Sequence, residues 1–229
     1  MSATDATTTS TLWGIGSYRV GDDLVTFPVS EDDLQRDILT AQKNLSSLGV
    51  ERGKRALVTS MLAEGAQYWP VQIGLLMAGT QMSCADASRS DAFRTRMFLN
   101  GPTYDVAVGI SGDVLDGLLD LDASLGELFG RVPVVAARSD AIGRLRDAGV
   151  EARLWLHVGP TIAVECDTGG GAHVDGEEWR VESDGGEVRV SARNVRAARI
   201  DGVPTGVRAE IVGEPCGCGR ADVRLVPTP

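Results

Sequence analysis

The sequence predicts an α/β fold: a mostly parallel sheet with flanking helices, followed by a smaller C-terminal β-rich lobe. Two observations carry this expectation. Between residues 30 and 158, stretches with apolar residues at helical spacing alternate with short apolar runs, the pattern of parallel strands joined by crossover helices. After Gly159 the helical spacing stops and only short β segments follow. The expected division is a disordered polar lead-in over 1–12, an α/β core over 13–158 and a β-rich subdomain over 159–229.

Ser30-Glu31-Asp32-Asp33 reads as a helix start, with a capping hydroxyl and acids favoured at a helix N-terminus. Leu34, Ile38, Ala41, Leu45 and Leu48 then recur at helical spacing, and Gly49 stops the helix. Residues 55–60 read as a buried strand. The stretch 64–78 is an apolar helix ended by Gly79, and Pro70 places its true start near Trp69 or kinks it there. Strands are expected over 80–85, 105–110, 132–136 and 152–158. Helices are expected over 91–99, 113–129 and 140–148. In the C-terminal part, strands are expected over 161–165, 178–182, 187–192, 207–212 and 223–226. Asp184-Gly185-Gly186 is a hairpin turn between two of them.

The 229 residues include 43% hydrophobic ones, enough for a sizeable core. The net charge of −10 argues against nucleic acid or an anionic membrane as partner, because phosphate binding needs clustered cations. No apolar run approaches the roughly 18 residues of a membrane span, and the N-terminus lacks the pattern of a signal peptide. A cytoplasmic, reducing setting is expected, in which close cysteines favour metal over disulfide.

Four soft ligands stand out: Cys166 and His173 flanking Gly169-Gly170-Gly171, and Cys216 and Cys218 separated by Gly217. They read as a Cys₃His zinc site joining two distant loops. The alternative is two unrelated structural cysteines and a surface Cys-x-Cys loop. The glycines favour the metal, because they let backbone turn tightly around a small tetrahedral centre. Four protein ligands leave no open position, so the zinc would be structural. Cys84 is read as a buried apolar residue rather than a nucleophile. Asp113, Asp116, Asp120 and Asp122 are read as a solvated helix face. Gly14-x-Gly16 lacks the third glycine of a dinucleotide site.

The order of these pieces resembles the AMP-forming acyl-CoA synthetase superfamily, in its phenylacetate-CoA ligase branch. Two stretches carry the likeness. One is Leu48-Gly-Val-Glu-Arg-Gly-Lys-Arg-Ala-Leu-Val58 with Met77-Ala-Gly-Thr80. The other runs from Gly159-Pro-Thr-Ile-Ala-Val-Glu165-Cys166 through Gly171-Ala-His173 to Glu214-Pro-Cys216-Gly-Cys218-Gly-Arg220. The resemblance covers roughly residues 20–225, the middle of a full ligase. It implies an acyl pocket near Met61, Tyr68 and Trp69, each of which also reads as simple core.

The motifs that the resemblance requires are altered. The stretch expected to hold ATP phosphates reads Gly14-Ile-Gly-Ser-Tyr-Arg-Val-Gly-Asp-Asp23, with Asp22 and Asp23 where triphosphate would lie. Ala136-Ala137-Arg138 stands at the adenine-side motif. Leu154-Trp155-Leu156-His157-Val158 stands where an acid would assist the metal on ATP. Glu210 is a shifted substitute for the ribose-binding aspartate, and the mobile C-terminal lobe is expected to be missing. The resemblance therefore implies a degenerate ligase that does not adenylate. Such a protein would bind a small carboxylate or acyl-CoA and act as a partner or regulatory subunit, beside a full ligase or another biosynthetic enzyme. The rival reading is repurposed acyl-transfer or condensation chemistry using His157, Arg138 or Glu210. For His157 the plainer reading is a hydrogen-bonded histidine at the sheet's C-terminal end. A homo-oligomer in which a neighbour completes the site is a third reading.

Overall fold

The computed structural model describes residues 10–228. The expected lead-in falls mostly on residues 1–9, outside the described residues. Residues 10–12 are tied down: the Asp32 N–H donates to Ser10 Oγ and the Glu31 N–H to the Thr11 carbonyl. A hairpin that the sequence did not announce comes next, β1 (Leu12–Val20) and β2 (Asp23–Ser30), with Val20 opposite Asp23.

Ser30 and Asp33 form the expected capping box, each side chain accepting the other's backbone N–H. They start α1 (Glu31–Ser47). Next come β3 (Arg55–Thr59), a single 3-10 turn over Leu62–Glu64, and α2 (Gly65–Met77). The helix does not wait for Trp69: it begins at Gly65 and runs through Pro70. Pro70 has no N–H to offer the Ala66 carbonyl, at the loss of one helical hydrogen bond. Then follow β4 (Gln81–Ala85), α3 (Ala92–Asn100) and β5 (Val106–Ile110). The Leu-rich helix expected over 113–129 is two helices, α4 (Gly112–Asp120) and α5 (Leu125–Phe129). Asp122, at φ 56°, breaks them apart, and the Ser124 hydroxyl caps the second.

After β6 (Val134–Ala137), α6 (Ile142–Asp147) and β7 (Ala152–Val158), only strands follow. They are β8 (Thr161–Glu165), β9 (Ala172–His173), β10 (Trp179–Asp184), β11 (Glu187–Ala192), β12 (Val203–Val212) and β13 (Arg224–Pro227). Gly185 and Gly186, both at positive φ, make the expected two-residue turn between β10 and β11.

Eleven strands form one mixed sheet, in the order β10-β11-β12-β13-β9-β8-β7-β6-β5-β3-β4. From β4 to β7 every pairing is parallel, and from β7 to β10 every pairing is antiparallel. The change of grammar after Gly159 is thus the point where the chain reverses between β7 and β8. The parallel half is covered on both faces, as such sheets require. Ala41, Leu45, Val71 and Leu75 of α1 and α2 pack on one face. Leu99, Leu115, Leu118, Phe129 and Leu145 of α3–α6 pack on the other. The antiparallel half has its own smaller core around Leu156, Val174, Trp179, Val190 and Leu225.

Candidate functional site

The C-terminal ends of the parallel strands meet the N-terminal hairpin over a cavity of about 440 Å³, the size of small-ligand sites. Tyr18, Leu24, Met61, Ala63 and Val207 give it apolar walls, and Ser17, Glu64, Gln67, His157 and Thr205 face it with polar atoms. Arg19 stands at the rim, exposed. Gln67 ties the walls together: its amide donates to the carbonyls of Ser17 and Gly159, joining the hairpin to the β7–β8 turn.

Beneath the cavity is a charged and aromatic group. The Arg138 guanidinium forks onto Glu64 at 2.6 and 2.8 Å, and its Nε donates to the Gly109 carbonyl at 3.0 Å. Both side chains are at most one-fifth exposed, and such a bidentate pair is geometrically specific. Burial acts to raise the Glu64 carboxyl, and the Arg138 hydrogen bonds and charge outweigh it, so Glu64 lies below the usual carboxylate range. The Tyr68 hydroxyl lies 3.1 Å from His157 Nε2. Burial first, then the Arg138 charge, push the imidazole down to about 4, so it is neutral at pH 7. Arg138 also stacks over the Tyr68 ring.

The sequence-expected residues are therefore partly gathered. His157 and Met61 line the cavity. Arg138 stands behind Glu64, and Tyr68 is buried against His157. Trp69 turns away: it is half exposed and packs edge-on against Trp13. Glu210 is exposed on β12, opposite Val226, and does not join the group. Cys84 is exposed on the edge strand β4 rather than buried, with its thiol pushed up by partial burial. Asp120 and Asp116 pair with Arg89 and Arg144 on the surface. The sequence reading missed Glu64, Gln67 and Tyr18. For Glu64 a signal existed: it is an acid just past the C-terminal end of a buried parallel strand, where open α/β sheets bind ligands.

The second site is the sulfur cluster. Cys166 follows β8, His173 lies in β9, and Cys216 and Cys218 lie in the loop between β12 and β13. Their four ligand atoms all fall within 4.8 Å of one another. Cys166 Sγ is 3.5 Å from Cys216 Sγ, and Cys218 Sγ is 3.5 Å from His173 Nε2. Tetrahedral zinc with bonds of about 2.3 Å to sulfur and 2.0 Å to nitrogen spaces its ligands roughly 3.5–3.8 Å apart. Two of the ligand pairs thus already stand at the spacing of a small tetrahedral ion. Thr168 Oγ1 lies 3.0 Å from both Cys166 and Cys216. A hydrogen bond from the Cys218 backbone N–H, then one from Thr168, pull the Cys216 thiol down to about 5, which favours the ligating thiolate. Gly169, Gly170 and Gly171 all adopt positive φ, and a Cβ on Gly171 would meet the Leu225 carbonyl at 2.9 Å. This buried Cys166/His173/Cys216/Cys218 cluster can hold a metal ion.

The mixed sheet, with its parallel and antiparallel halves, is similar to solved structures. One is 2-hydroxyisobutyryl-CoA ligase in complex with 2-HIB-AMP and CoA (TM-score 0.74, 11% identity, 93% of this chain and 56% of that one). The chain has the fold of the AMP-forming acyl-CoA ligases. The N-terminal subdomain of Klebsiella oxytoca NpsA with anthranilyl-AMSN is similar at TM-score 0.58 and 13% identity, over 93% and 62% of the two chains. An ATP-bound RpMatB-BxBclM chimera gives TM-score 0.60 and 15% identity, over 94% and 48%. The chain spans about half the length of these ligases. No family model matches the sequence, and no curated protein matches it. Among the described residues no helix is long and apolar enough to cross a membrane.

Proposed function

We propose that this is a ligase-like protein of the phenylacetate-CoA ligase type that binds a small acyl ligand, a carboxylate or its CoA ester, without adenylating it. It acts in the cytoplasm as a binding or regulatory subunit beside another enzyme, with structural zinc in its β half. The observation that carries this reading is the turn between β1 and β2. Only Gly21 and Asp22 lie between paired Val20 and Asp23, and Asp22 and Asp23 are exposed at its tip. A triphosphate is held by a loop of free N–H groups and hydroxyls near positive charge. A tight turn carrying two carboxylates offers the opposite. Arg138 and Glu64 supply the second support: the guanidinium is forked onto the carboxylate beneath the cavity and so is not turned toward a nucleotide.

The apolar-walled cavity is what supports retained ligand binding, and the similar structures include one holding 2-HIB-AMP and CoA and one holding anthranilyl-AMSN. An ATP–pyrophosphate exchange assay with a panel of small carboxylates tests the proposal. No exchange above background is expected, and carboxylate-dependent exchange would overturn it.

A further inference from the structure

Resting on the reading of a retained acyl cavity, we infer that the inner end of that cavity takes a neutral acyl derivative (an amide or a thioester) and excludes the free carboxylate. The group presented to the cavity floor is a carboxylate. Glu64 lines the cavity, and Arg138 stands behind it, outside the lining. Three of its five N–H donors are directed away from the cavity's contents: one each from Nη1 and Nη2 to Glu64, and Nε to the Gly109 carbonyl.

The other polar groups at the floor supply no positive charge. His157 is held by Tyr68 at Nε2, and its Nδ1 faces Glu64 Oε1 at 3.9 Å. The Gln67 amide N–H groups are bound to the Ser17 and Gly159 carbonyls. Thr205 Oγ1 donates to the Val188 carbonyl, and Ser17 Oγ donates to the Ala63 carbonyl. An incoming carboxylate would thus be desolvated against Glu64 with no cation to meet it, which disfavours its charged form and its binding. A neutral amide or thioester carries no such penalty. The one cation of the lining is Arg19, at the rim. Any anionic part of the ligand belongs there, outward, as in an acyl group already joined to a phosphate-bearing carrier.

Benzamide and benzoate have nearly the same shape and differ in charge. Both are titrated into the full chain by calorimetry at pH 7, and again into Glu64→Gln, which removes the floor charge at constant size. The expected result is that benzamide binds the native protein at least about ten-fold tighter than benzoate, and that E64Q closes that gap by a similar factor. Benzoate binding as tightly as benzamide would overturn the inference while leaving the acyl-cavity reading standing. Saturation by neither ligand would overturn both. Should E64Q fail to fold, the native comparison decides by itself.

Discussion

The two halves of the sheet are held by different physics. In the parallel half, Leu57, Ala107, Val108 and Val135 are fully buried between helices on both faces, and burial of aliphatic surface supplies the cohesion. The antiparallel half lacks helices of its own. Its core is smaller, and it is clamped from two sides by polar links. On one side the Cys/His cluster, placed to hold a metal ion, brings the 166–171 loop against the β12–β13 loop. On the other, α1 reaches across. Asp37 pairs with Arg196, which stacks over Trp179. Thr40 and Lys43 hold Asp175, and Asp33 accepts the Ala197 N–H. Where a layer is too thin to bury enough surface, specific cross-links replace the missing core.

The largest effect that can break this comparison is loss of the proposed metal clamp. Cys216→Ser, or a strong chelator, should remove hydrogen-exchange protection from residues 161–227 while 55–158 stay protected. Binding energies of structural zinc are about 10–16 kcal/mol, so unchanged protection in the β half would refute the clamp. Next in size is Leu57→Ala, in the parallel core, expected to cost about 3 kcal/mol in a denaturant titration. That variant should leave metal content unchanged, because the cluster does not lean on that core.

A smaller effect comes from pH. His157 binds its proton at about 4 when folded and near 6.5 when unfolded. Between those values the unfolded chain holds more protons, so stability should rise with pH, by about 3 kcal/mol in all. His157→Gln should flatten that part of the profile, and an unchanged profile would mean the imidazole is more solvated than its contacts indicate. The smallest is Thr40→Val, which removes one hydrogen bond to Asp175 across the halves and should cost about 1 kcal/mol, read as a shift in melting temperature.

The parallel half was readable because its signals are local. The Ser30/Asp33 box, Gly49 and the alternating apolar runs each act within a few residues. The Gly185-Gly186 turn was readable for the same reason. The β1–β2 hairpin was hidden by its glycines. Gly16 interrupts the strand pattern because a Cβ there would strike the Phe27 ring and Ala66, at 2.4 and 2.6 Å. The Leu-rich run over 113–129 concealed a break that rests on one residue, Asp122. The members of the Cys/His cluster were recognisable by type, since few other uses gather three cysteines and a histidine among glycines. The Glu64–Arg138 pair was beyond reach: its members are 74 residues apart, and only the sheet brings the ends of β3 and β6 together.

Titration of the zinc-replete protein with MgATP, followed by calorimetry, tests the central claim most directly. A chain whose β1–β2 connection is a two-residue turn with Asp22 and Asp23 exposed should give no saturable heat into the millimolar range. A dissociation constant in the micromolar range would contradict it.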